Sequence, residues 1–138
     1  PGRVAAHLVF DRDLPHMVYA GADAVLIPSK FEPSGLTQME AMRYGCIPIA
    51  RKTGGLADTV EDYHPETESG TGFLFERFDS MSLVIAITRA FENYRNPKIW
   101  VTLQKRAMEK DFSWVNSAAE YSKLFDSAVE FRRKEKEE

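Results

Sequence analysis

Glu32 and Glu40 stand eight positions apart, and the residues around the first suit a ligand better than a core: Ser29-Lys30-Phe31-Glu32-Pro33-Ser34-Gly35-Leu36-Thr37. A carboxylate accepts hydrogen bonds from hydroxyl groups, and a glycine lets a ligand approach the backbone. Where such a stretch joins the carboxyl end of a strand to the amino end of a helix, the free amides of Gly35, Leu36 and Thr37 carry the positive end of the helix dipole toward an anion. Phosphate is the obvious anion, and amides for phosphate beside a carboxylate for hydroxyls suit a sugar phosphate. The residues alone leave an ordinary capped helix with a surface glutamate equally open. Glu40 falls one turn into the same helix and shares the face whose first turn aims at the ligand, although read alone it is an exposed helix residue. Asp11-Arg12-Asp13 has the carboxylate spacing of a metal motif, yet capping of the next helix by Asp13 accounts for it, and no metal site is expected. His7, His16 and His64 are too scattered to be a ligand set.

Elements must hold these residues in place. The apolar run Val4 to Phe10 predicts a buried strand, followed by a helix with Leu14, Met17, Val18 and Gly21 on one face and Pro15 in its first turn. Ala24 to Ile27 predicts a second strand, Leu36 to Tyr44 a helix stopped by Gly45, and Cys46 to Ala50 a third strand. Pro48 predicts an edge or a bulge there, because proline removes a ladder donor. Thr53-Gly54-Gly55 is a turn before a short helix, Leu56 to Glu61. Asp62 to Gly72 reads as a polar loop, and Phe73-Leu74-Phe75 as a last short strand. Met81, Val84, Ile85, Thr88 and Phe91 follow helical spacing and predict a helix from Ser80 up to Asn96-Pro97. Two more helices follow, Lys98 to Lys110 and one from Ser113 to about Arg133, whose charged end at 132–138 frays into solvent. Trp100 and Trp114 fall at helical positions and read as core.

Alternating strands and helices with short turns predict an α/β fold with a parallel sheet. Ligands of such sheets bind beyond the carboxyl ends of the strands, which selects the loops at 10–13, 29–35 and 51–55. The 138 residues make one domain or part of one, and 43% hydrophobic against 28% charged residues exclude a disordered chain. No apolar run reaches the ~20 residues that cross a bilayer, and the start has no signal-peptide pattern, so neither a membrane nor a secretory role is expected. A net charge of −3 supplies no global field for nucleic acid. The single cysteine, Cys46, cannot make an internal disulfide and fits a reducing compartment.

The string FEPSGLTQM from Phe31 to Met39, continued by EAMRYGCIPIARKTGGLADTV and matched again by Asp111-Phe112-Ser113-Trp114, closely resembles the glycogen and starch synthases. These are retaining glucosyltransferases with two Rossmann-like lobes of the GT-B type, and the resemblance covers nearly the whole chain. It implies one partial domain, residues 1–138, from the nucleotide-sugar-binding carboxyl-terminal lobe, with 113–138 as a terminal helix. Its partners would be an amino-terminal lobe, ADP-glucose as donor and an α-1,4-glucan as acceptor, in the cytoplasm or, for a plant parent, the plastid. No cofactor or metal is implied. The resemblance implies Glu32 as the catalytic-site residue on the hydroxyls of the transferred glucose, and the amides of Gly35, Leu36 and Thr37 near that glucose and the distal phosphate. Glu40 would lie toward the ribose. It also implies Phe10 beneath the adenine, while the residues alone leave core packing open for that ring. Lys52-Thr53-Gly54-Gly55-Leu56 is similar to the glycine turn of the carboxyl lobe and would shape the crevice near the sugar. Ser34 stands where many members carry cysteine, which argues against a required thiol there. Alternative readings are a retaining GT-B enzyme using a UDP- or GDP-sugar, or a non-catalytic nucleotide-binding module.

Overall fold

The computed structural model describes residues 2–134. A three-stranded parallel sheet carries the fold, with β1 (Ala24–Ile27), β2 (Ile47–Arg51) and β3 (Phe73–Phe75) in the order β1-β2-β3. Helix α1 (Leu14–Gly21) precedes β1, α2 (Thr37–Arg43) joins β1 to β2, and α3 (Gly55–Thr59) begins the connection from β2 to β3. Three helices follow the sheet, α4 (Ser80–Tyr94), α5 (Pro97–Met108) and α6 (Trp114–Lys134). This is the α/β class that the alternating pattern predicts.

β2 is the centre of the fold, and Ile47, Pro48, Ile49 and Ala50 are all buried. The expectation that Pro48 marks an edge or bulge is therefore wrong. The amide of Ile47 bonds to Asp23 on the β1 side, so alternation along the strand turns position 48 toward β3. The β3 ladder starts only at Phe73, opposite Ile49, and a side chain on Gly72 would meet the Pro48 ring at 2.8 Å. The missing donor thus falls just before the ladder begins, and Gly72 leaves room for the ring.

The main core joins β2 and β3 to α2, α4 and α5 through Met42, Ile47, Phe73, Ala86, Ala90, Trp100 and Leu103. Phe73 stacks on Trp100 with 6.3 Å between ring centroids. Arg89 on α4 ties the polar excursion before β3 to this core, donating to the Tyr63 carbonyl at 2.8 Å and pairing with Asp62 at 3.0 Å. The small residues Ala86 and Ala90 are what α4 buries, while Met81, Val84, Ile85 and Phe91 are exposed. The residues whose spacing marks the helix thus lie on its outer face. Two apolar stripes wind along α4, and alanines let its axis lie close to the sheet where larger side chains would hold it away.

Other expectations also need correction. Residues 4–10 form no strand: Val4, Leu8, Val9 and Phe10 are exposed, and among the described residues nothing pairs with them. An extended segment without a ladder leaves its backbone to water and gains no burial. α1 buries Tyr19, not the face of Met17 and Val18, because it meets a satellite cluster of Ala41 and Cys46 where the aromatic ring covers most area. Asp13 makes no side-chain cap; Asp11 does, accepting from the amides of Asp13 at 2.8 Å and Leu14 at 2.9 Å. Those backbone bonds hold the Asp11 carboxyl below its usual range. Trp100 is core, but Trp114 is 81% exposed, and α6 buries no residue, so its helical position carries no packing partner. Residues 135–138, expected to fray, lie outside the described residues.

Candidate functional site

The loop from Pro28 to Leu36 leaves the carboxyl end of β1 and enters α2, as the sequence requires. Three contacts fix it. At its start, Arg51 at the end of β2 donates from Nε to the Ser29 carbonyl at 2.8 Å and from Nη2 to the Lys30 carbonyl. Its Nη1 reaches the Glu76 carbonyl beyond β3 at 3.3 Å, and the guanidinium lies 5.7 Å from the centre of the Phe78 ring.

Beneath the middle of the loop lies the Gly54-Gly55 turn. The Gly55 amide donates to the Glu32 carbonyl at 3.0 Å. A side chain on Gly54 would come within 2.1 Å of that carbonyl oxygen, and one on Gly55 within 1.7 Å of the Ser34 oxygen. Gly54 also takes a φ of +46°, a conformation that favours glycine. Both glycines are therefore needed for backbone to lie on backbone. At the loop's exit, buried Gln38 donates from Nε2 to the Gly35 carbonyl at 2.5 Å, the Gly55 carbonyl at 3.3 Å and Thr59 Oγ1 at 2.8 Å. Gly35 has a φ of +67°, and a side chain there would strike the Gln38 amide at 2.5 Å.

Gly35 is buried, Thr37 half-buried and Leu36 exposed, and no side chain caps the start of α2. Glu32 is half-buried in the loop, and Glu40 is exposed in the first turn of α2. Glu32, Gly35, Leu36 and Thr37 thus share one braced segment, with Glu40 on the helix it feeds. Leu36 and Glu40 also border an open depression of about 730 Å³ whose other walls include Met39, Tyr44, Met108 and Phe112. Glu32 and Phe10 do not line it. Phe10 is 95% exposed, which removes core packing for its ring, and among the described residues no hydrogen bond or ring contact joins it to the loop. No cluster of three or more His, Cys, Asp or Glu able to hold a metal ion occurs among the described residues. No described helix is long and apolar enough to cross a membrane.

The sequence assigned no role to two residues that hold this arrangement. Gln38 carried a signal, a polar side chain at a position flanked by buried Ala41 and Met42 on the inward face of α2. Arg51 carried none, because a basic residue at a strand end does not reveal that its donors are committed to three carbonyls.

Residues 6–107 match the family described as glycosyl transferases group 1. The chain is 52% identical over 129 residues to glycogen synthase 1 of Synechocystis, a match that covers 94% of this chain and 27% of that protein. Against the glycogen synthase of Geobacillus stearothermophilus the identity is 47%, over 94% of this chain and 27% of the relative. Among solved structures, the catalytic domain of starch synthase IV from Arabidopsis thaliana, bound to ADP and acarbose, superposes with a TM-score of 0.80 at 46% identity. That superposition covers 89% of this chain and 26% of the other. A sucrose-phosphate synthase from Thermosynechococcus elongatus is similar at a TM-score of 0.58 and 33% identity, over 80% of this chain and 26% of that one. The chain therefore spans about a quarter of the length of these relatives. With the family matched across most of its residues, the chain belongs to the group 1 glycosyl transferases.

Proposed function

We propose that these residues are the donor-side part of the carboxyl-terminal lobe of a glycogen or starch synthase, which transfers glucose from ADP-glucose to the nonreducing end of an α-1,4-glucan with retention. The observation that carries the reading is the loop 29–37, braced from below by Gly54 and Gly55 and opening onto a helix start without a side-chain cap. Similarity to glycogen synthases, and to a starch synthase whose structure holds ADP and acarbose, supports it. In this reading Glu32 accepts bonds from hydroxyls of the transferred glucose, and the amides of Gly35, Leu36 and Thr37 face the distal phosphate. Glu40 lies toward the ribose and Phe10 beneath the adenine.

The bond between glucose C1 and the ADP oxygen breaks, and a bond from C1 to the acceptor 4-oxygen forms on the same face. The departing diphosphate takes up the acceptor's proton, so the chain's residues bind, orient and stabilise negative charge. A cytoplasmic setting, or a plastid for a plant parent, accompanies this reading.

Transfer assays on the intact polypeptide that contains these residues, with glycogen and ADP-, UDP- or GDP-glucose, test it. The expected result is transfer with ADP-glucose preferred, and a fall in kcat/KM of about a hundredfold for Glu32→Ala, as loss of a positioned polar group produces. The melting temperature of that variant should barely move, because Gly55 bonds to the main chain of residue 32, which alanine keeps. Preference for a UDP- or GDP-sugar would redirect the donor assignment, and full activity in Glu32→Ala would remove Glu32 from the site.

A further inference from the structure

Each strand of the sheet ends near a carbonyl or side chain that belongs to one cluster. Arg51 closes β2, Ser29 and Lys30 follow β1, and Glu76 follows β3. The guanidinium of Arg51 bonds to the carbonyls of all three of those flanking residues and covers the face of Phe78. It is half-buried, and its planar fork presents donors in several directions at once, which a single ammonium cannot do. Two of its acceptors are the residues from which the Glu32 loop springs. Glu32 itself is fixed through its main chain by Gly55, two residues past Thr53 in the turn that Arg51 introduces.

We propose that Arg51 is a positioning residue for glucosyl transfer, setting the direction in which the loop leaves β1 and hence where the Glu32 carboxylate stands. The inference rests on the donor-site reading of the loop. It assigns no contact between Arg51 and substrate: three of the five N–H donors, one on each nitrogen, hold carbonyls of the loop and of the β3 exit, so its effect passes through the loop. Gln38 and the glycine turn hold the exit and the middle of the same segment, and among the described residues it is Arg51 whose side chain bonds to the entry.

The test compares Arg51→Met and Arg51→Lys in the intact polypeptide by amide hydrogen exchange and by transfer kinetics. Arg51→Met should speed exchange at residues 30–37 by about tenfold or more while α5 amides keep their rates, the pattern of a local opening. It should lower kcat with ADP-glucose by about tenfold, and Arg51→Lys should recover little of that loss. In a Glu32→Gln background the further loss from Arg51→Met should shrink to less than about threefold, because coupled residues are not additive. Unchanged exchange at 30–37, or acceleration spread evenly through α4 and α5, would overturn the proposal, as would equal losses in both backgrounds. A wild-type polypeptide that transfers no glucose would sink the functional reading instead, and the exchange pattern would still decide whether Arg51 holds the loop.

Discussion

Phe10 and Cys46 show opposite ways in which a single residue's surroundings set what can be measured on it. Phe10 has no packing to lose, being almost wholly exposed, so a change there isolates binding. Phe10→Ala should leave the unfolding midpoint unchanged and weaken ADP binding to the intact polypeptide by about 1 to 3 kcal/mol if the ring stacks on the base. Calorimetric titration checks this, and unchanged affinity would take Phe10 out of the donor site. Cys46 is fully buried between α1 and α2. Burial, with the nearby Asp23 carboxylate, pushes its thiol up from an ordinary value of 9.0 to about 11. The folded protein therefore keeps the proton over a range in which the unfolded chain gives it up. That contribution to stability is complete below pH 9.0 and is lost as pH rises toward about 11. Urea midpoints measured across this range should fall with pH in the wild type, and the fall should be smaller in Cys46→Ala.

At the scale of elements, the glycine turn after β2 sets the closest backbone approach in the site. Gly55→Ala would force its new carbon against the Ser34 carbonyl, which as main chain can move only if the loop moves. The expected cost is about 1 to 3 kcal/mol of stability, typical of overpacking, with loss of transfer. Gly21→Ala is the control, since a side chain there meets nothing within 4 Å. Equal stability of the two variants in denaturant titrations would contradict the packing described for the loop.

The same elements show what the sequence made legible. The strand at 24–27, the loop through Gly35 and the helix stopped by Gly45 were readable because each carries a local rule, an apolar run, a backbone requirement or a left-handed C-cap with a φ of +77°. The buried side of α4 was not, because two apolar stripes share one periodicity and only the sheet chooses between them. Nor was the central place of Pro48, which depends on a glycine twenty-four positions later in the chain. Residues 4–10 have the composition of a strand, but composition supplies no ladder partner. Glu32, Gly35, Leu36 and Thr37 could be read as one segment because they lie within six consecutive positions, whereas the bonds of Gln38, Thr59 and Arg51 run across the fold.

For the whole molecule, the proposed reading makes these residues one wall of a crevice whose facing side belongs to another part of the parent polypeptide. Glucosyl transfer needs donor, acceptor and charge-stabilising groups held together with water excluded. The 138-residue chain by itself should therefore bind ADP weakly and incorporate no glucose into glycogen. Radiolabel transfer from ADP-glucose, run beside the intact polypeptide, checks this, and comparable incorporation by the short chain would show that one wall suffices.

The lack of burial along α6 gives the protein two optical probes with separate meanings. Trp114 opens that helix and is 81% exposed, while Trp100 lies 5% exposed against Phe73 in the core. Emission should resolve into a red component that acrylamide quenches freely and a blue one that it scarcely reaches. The red component follows whatever comes to cover α6, and the blue one follows the sheet and its helices. Removing either indole by substitution with phenylalanine would leave a single-colour reporter for the other, so that any change in the exposure of α6 and melting of the core can be followed independently in one cuvette.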